Sequence, residues 1–203
     1  MTQTFSLTID LRNIDISKAI DAGDGKLMVP LGTVSNEEMG KTVDMVRKNG
    51  GKILYATTSI EQRMESFLLE YFMGPFSGHS DRRVMFEREI LQSSALGYST
   101  KKNLVSKLVN ELDLLAGKEK NTLGGALKKI MEWRNAFAHG KIQHDSSAGC
   151  FMKYYSGEPR TLALTDEYWE EVEVTFKECD ALLISAQTKL SAGSATTPDG
   201  KSL

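Results

Sequence analysis

Cysteine is scarce in this chain: Cys150 and Cys179 are the only two in 203 residues, and no CxxC pair or Cys/His cluster accompanies them. That argues against a fold stapled by disulfides and leaves no ligand set for a structural zinc site. Long apolar runs are also missing. None approaches the roughly 20 residues that a membrane-crossing helix needs, so no span is expected. The opening MTQTFSLTIDLRNID has no basic start, no continuous apolar block and no small-residue cleavage site, and a cytoplasmic setting is the expectation. Basic residues are not in excess either, with 25 Lys and Arg against 27 Asp and Glu for a net charge of -2. A protein that grips duplex DNA by neutralising many phosphates usually carries a basic imprint. No nucleophile motif is found, and Gly124-Gly125 is no phosphate-binding loop because the Lys and Ser/Thr that such a loop requires do not follow. These glycines read as a helix start or a close backbone approach.

What is present is an ordinary apolar content of 40%, enough for one substantial core with an elaborated flank. Strict alternation over residues 5–12 predicts a strand, and the run 27–31 is a candidate to pair with it, with Pro30 confining it to an edge or strand end. Ser35-Asn36-Glu37-Glu38 is a capping-box pattern. A first helix is expected to stop at Gly50-Gly51, and helices are expected over 53–73, 81–96 (Phe86, Ile90 and Leu91 inward), 101–115 (stripe Leu104, Leu108, Leu112, Leu115, closed by Gly117) and 123–139. Gly140 is expected to end the last of these in the left-handed conformation. Residues 149–164 read as a hairpin turning at Gly157, and 166–190 as a further helix capped by Thr165. The expected architecture is therefore mainly α: an up-and-down helical bundle with a small N-terminal β element and a β-hairpin before the last helix. Residues 1–50 form an extension packed on the core, 51–192 the helical domain, and 193–203 a disordered tail.

Charge is spread unevenly. From Lys118 to Lys141 six basic residues face two acidic ones, a local +4, and from Glu158 to Asp180 eight acids face two bases, a local -6. Two solvated faces of opposite sign account for this, and so does a basic side, with Lys128, Lys129 and Lys141, that meets a polyanion such as RNA. His79 and His144 read as surface residues in loops.

The run Arg134-Asn135-Ala136-Phe137-Ala138-His139-Gly140 carries the best candidate chemistry. Counting by threes and fours from Leu127 and Ile130 brings Arg134 to the apolar side of its helix or its edge, where a permanent charge needs a partner. That partner is either an acid across the bundle (Glu61, Glu65 or Glu70) or the phosphate of a ligand. His139 reads as a C-terminal cap or as a proton-transfer group. Five residues put it about 140° from Arg134 on an ideal helix, so loosening of the last turn would be needed to bring the two together. Asn135, four residues before His139, shares its face. Arginine, amide and imidazole together suit metal-free phosphodiester cleavage. Glu61 and Glu65 are supporting candidates, or simply a solvated helix face.

This run, at the end of a helical block, resembles the signature of the HEPN superfamily: an arginine, a polar residue after it and a histidine a few residues on. Phe86-Glu87-Arg88-Glu89-Ile90 with Ala95-Leu96-Gly97 looks like the helix preceding the motif in HEPN-like proteins, the mannitol-regulator-like relatives included. The resemblance covers residues 53–140; the first 50 match no named pattern. It implies a helical bundle that pairs as a homodimer with the two motifs across a shared cleft. In catalytic members RNA is cut there without metal or other cofactor, by attack of the ribose 2′-hydroxyl. Carried over, Arg134 and His139 are the catalytic pair and Asn135 the helper, in a protein of the toxin, stress or phage-defence kind with an antitoxin or regulatory partner. Other members bind nucleotides or proteins without cutting.

Overall fold

The computed structural model describes residues 20–21, 27–28, 36–74, 80–145 and 149–194. The chain divides into two compact units, residues 1–42 and 43–203. In the first, β1 (Ile20–Asp21) pairs antiparallel with β2 (Leu27–Met28), Ile20 opposite Met28. The partner of the 27–28 segment is thus a near neighbour that sequence alternation did not mark. The strand expected at 5–12, the Ser35 cap, His79 and residues 195–203 lie outside the described residues.

The second unit is mainly helical, as expected, and holds all of the next helix from residue 43 onwards. Helix α1 (Asn36–Met73) runs through Gly50-Gly51 without a break. Two glycines weaken a helix by about 2 kcal/mol relative to alanine. They are overruled because Val46, Gly50, Ile53, Thr57, Ile60, Met64 and Phe67 form one unbroken buried stripe at alternating intervals of four and three. Gly50 belongs to that stripe for a steric reason: a Cβ there would meet the Phe137 ring at 2.5 Å. A Cβ at Gly51 meets nothing within 4 Å. Gly51→Ala is therefore expected to stabilise the protein by about 1 kcal/mol through helix propensity alone. Gly50→Ala is expected to destabilise it by about 1 kcal/mol, because overpacking against Phe137 outweighs the same gain. Urea midpoints of the two variants check this, and equal shifts would contradict it.

Helix α2 (Asp81–Phe86) starts at Ser80, whose hydroxyl accepts from the Arg83 amide at 3.2 Å, and passes into a π-helical turn (Glu87–Leu91). The segment stops five residues short of the expected end. Leu91 is buried as expected, while the wide turn carries Ile90, also expected inside, out to 47% exposure.

Helix α3 (Tyr98–Glu111) buries Lys101, Val105, Leu108 and Val109. Of the expected stripe, Leu108 and Leu115 are buried and Leu104 is half-buried against the core, whereas Leu112 is 41% exposed past the helix end. Helix α4 (Gly117–His139) begins with the glycine expected to close its predecessor. Glu119 reaches back to accept from the Ala116 amide at 2.9 Å, which satisfies an otherwise orphaned donor and moves the start six residues earlier than the apolar pattern. Gly124 and Gly125 consequently lie inside the helix, not at its start.

Three antiparallel strands follow: β3 (Lys141–Asp145), β4 (Gly149–Tyr155) and β5 (Pro159–Ala163), in the order β3-β4-β5. The β4-β5 hairpin and its Gly157 turn, at φ 74°, match expectation. Strand β3 was not foreseen, since Ile142 is its only apolar residue and pairing with β4 creates it. His144 is exposed as expected, but on this strand and not in a loop. Helix α5 (Asp166–Ser194) starts at Thr165, whose hydroxyl accepts from the Tyr168 amide at 3.3 Å, and runs four residues past its expected end.

Val172, Cys179, Leu183, Ala186 and Leu190 of α5 join the core. Trp133 of α4 packs between Tyr168 and Phe176, ring centroids 5.9 and 6.2 Å away. Helix α1 is held to α5 by Arg63 on Asp180 at 3.0 Å and by Gln187 on Glu70 at 2.8 Å.

Burial, followed by the Asp180 charge, pushes the Cys179 thiol from 9.0 up to about 12. The unfolded thiol ionises above pH 9 while the folded one keeps its proton, so this contribution is whole below pH 9 and is lost as pH rises towards 12. Between pH 9 and 10 the stability of Cys179→Ala should fall with pH less steeply than that of the parent, by about 1 kcal/mol per pH unit. Denaturant curves at the two pH values test it.

Candidate functional site

Helix α4 turns its buried face through Leu123, Ala126, Leu127, Ile130, Trp133 and Ala136. Arg134 follows Trp133 by one residue, which sets it at the edge of that face, and it is exposed. Its Nη1 donates to Asn135 Oδ1 at 3.1 Å. Among the described residues no carboxylate is within ion-pairing reach of it.

The acids expected as partners for Arg134 are engaged elsewhere. Glu61 and Glu65 accept from the Lys101 ammonium at 2.7 and 2.5 Å. Glu70 accepts from Gln187 at 2.8 Å and from the Ser191 hydroxyl. Lys101 is only 3% exposed. Burial pulls its pKa down, but the hydrogen bonds and charges of Glu61 and Glu65 outweigh burial and raise it above 10.5. Lys101 therefore stays charged and occupies both carboxylates. The sequence held a signal for this. Lys101, Val105 and Leu108 recur at helical spacing, the same placement of a charge on an apolar face that Arg134 shows.

Glu61, Glu65, Tyr98, Lys101, Arg134 and Asn135 all line one cleft of about 660 Å³, together with the hydroxyls of Ser99 and Thr100. The structure thus brings Arg134, Asn135, Glu61 and Glu65 to a common space. Tyr98 is held neutral there, its pKa raised by burial and then by the charges of Cys179 and Glu61, while its hydroxyl donates to the Leu127 carbonyl at 3.4 Å.

His139 is exposed and is not among the described residues that line this cleft. The last turn of α4 does not loosen: the Gly140 amide donates to the Ala136 carbonyl at 2.6 Å, the regular four-residue bond. The imidazole therefore stays about 140° around the helix from Arg134, with Asn135 between them. Gly140 is extended, at φ -80° and ψ 165°, not left-handed. Glycine is needed there because a Cβ would clash with the Ala136 carbonyl oxygen of α4 and stand 2.7 Å from Met152 Cγ and Sδ of β4.

The three basic candidates part company. Lys129 is tied to Glu171 of α5 at 2.6 Å. Lys128 on α4 and Lys141 on β3 are exposed and make no ion pair among the described residues. Part of the local positive charge thus answers the acidic stretch within the fold. Among the described residues no three His, Cys, Asp or Glu side chains are placed to hold a metal ion, and no helix is long and apolar enough to cross a membrane. No protein-family model, no curated protein and no solved structure matches this chain.

Proposed function

We propose that this chain is a metal-independent endoribonuclease of the HEPN type, acting as a homodimer in the cytoplasm, in a toxin, stress or phage-defence setting with an antitoxin or regulatory partner. The observation that carries the reading is Arg134: a guanidinium open to a cleft, braced by Asn135, with the neighbouring acids held by Lys101. A guanidinium without a carboxylate is ready for a phosphate. In the reaction, the His139 imidazole takes the proton of a ribose 2′-hydroxyl. The 2′-oxygen bonds to phosphorus, the bond to the 5′-oxygen breaks, that oxygen takes a proton from water, and the imidazolium returns its own proton to the solvent. The products are a 2′,3′-cyclic phosphate and a 5′-hydroxyl. Arg134 balances the charge that builds on the phosphoryl oxygens. His139 lies outside the cleft of its own chain, so pairing of two copies has to supply the imidazole that faces each arginine.

That same placement of His139 favours a second reading, a non-catalytic module that holds a nucleotide or protein through Arg134. Incubating the protein with RNA in EDTA separates the two. Cleavage with cyclic phosphate ends supports the enzyme, whereas RNA bound and recovered intact supports the module.

A further inference from the structure

The outer face of the three-stranded sheet combines features that a solvated surface does not call for. Register places Lys141 of β3 directly opposite Lys153 of β4, and Gln143 opposite Phe151. Lys153 in turn faces Thr161 of β5. Phe151, Lys153 and Tyr155 alternate along β4 on this face, while Cys150 and Met152 on the other face are buried. The face therefore carries two lysines side by side, flanked by two aromatic rings. Like charges directly opposite on neighbouring strands destabilise a sheet. Neither lysine has an acid within ion-pairing reach among the described residues; Lys153 Nζ stands instead 5.6 Å over the Phe151 ring. Asp145 is at the far end of the face, opposite Gly149. Tyr155 is 74% exposed, an aromatic side chain spent on water.

We infer that this face is a binding platform for single-stranded RNA, with Lys141 and Lys153 on the phosphates and Tyr155 and Phe151 stacked on bases. Cations without an acid partner, set beside the exposed Tyr155 and the half-buried Phe151, offer the charge and rings by which proteins hold single strands without reading sequence. A duplex offers no base faces to the rings. Lys141 follows His139 by two residues, so this face begins where α4 ends. The inference extends the ribonuclease reading to the course of its substrate and rests on that reading for the strand's identity, but binding is measured apart from cutting.

The probe is a short single-stranded 2′-O-methyl RNA, which has no attacking hydroxyl, titrated into the full chain by fluorescence anisotropy. Tyr155→Ala is expected to weaken binding by about tenfold, the loss of one base stack. Lys153→Gln is expected to lower the slope of log affinity against log salt by about 0.7, one phosphate contact on a single strand. A duplex of the same sequence should compete poorly. Both side chains are exposed, and unchanged melting confirms that the variants fold. Binding that neither variant alters, equal competition by duplex, or no binding at all overturns the platform. If the variants bind weakly as expected and unmodified RNA is never cut, the platform stands and the catalytic reading falls. If RNA is cut while binding is indifferent to both variants, the reverse holds.

Discussion

Replacing Lys101 by methionine is expected to lower folding stability by about 3–5 kcal/mol, the largest loss foreseen for any single side chain here. The reason is asymmetry. The ammonium is almost wholly buried and holds Glu61 and Glu65 at 2.7 and 2.5 Å. Methionine fills the space but leaves two neighbouring carboxylates facing each other without a counter-charge. Removing an acid as well, in Lys101→Met with Glu65→Leu, should restore more than half of the loss, since Glu65 is the more buried of the two acids. The effect also has a pH signature. Because the folded pKa of Lys101 is raised above 10.5, its contribution is fully present below that value and is lost as pH rises through the raised one. The gap between parent and Lys101→Met should therefore be constant near neutrality and close in strong alkali. Urea unfolding of the three proteins across pH measures it, and a loss under 1 kcal/mol at pH 7 would show a cluster that water already relaxes.

The second large effect falls on activity. Arg134→Ala is expected to reduce RNA cutting at least about 100-fold, the loss of a charge-stabilising donor at phosphorus. His139→Ala should reduce it by about 10²–10⁴-fold through the missing proton transfer. Neither should shift stability by more than about 1 kcal/mol, because both side chains are exposed. Arg134→Lys sharpens the test: an ammonium keeps the charge but not the fork of donors, so it should recover only part of the rate. Cutting rates and melting of each variant, measured side by side, decide the matter. Full activity in Arg134→Ala would sink the enzyme reading. A collapse in its melting temperature would return Arg134 to a structural role.

Periodicity served well wherever one apolar stripe ran unbroken. The face of α5 from Val172 to Leu190 and the Gly157 hairpin were legible because local pattern and tertiary burial agree there. It misled where a neighbouring element decided the outcome. Gly50-Gly51 reads as a helix stop until Phe137, far along the chain, comes to rest against Gly50. Gly140 reads as a left-handed cap but is extended where the chain enters β3, and Lys141–Asp145 reads as a loop until Gly149–Tyr155 pairs with it. Ile90 reads as inward beside Leu91 but stands exposed, because a π-turn adds one residue to the count, which no spacing of apolar residues announces.

The candidate site divides along the same line. The sequence by itself determined that Arg134, Asn135 and His139 share the last turns of one helix, since a covalent spacing of one and five residues admits little else. It also determined the mainly helical class, because burying the apolar stripes of several amphipathic segments leaves few other arrangements. Only the tertiary structure decided which acid meets which base. Glu61 and Glu65 went to Lys101 and Glu171 to Lys129, because a charge settles with whichever opposite charge the packing of apolar faces brings within reach. That allocation, which no spacing along the chain encodes, is what leaves Arg134 facing an open cleft.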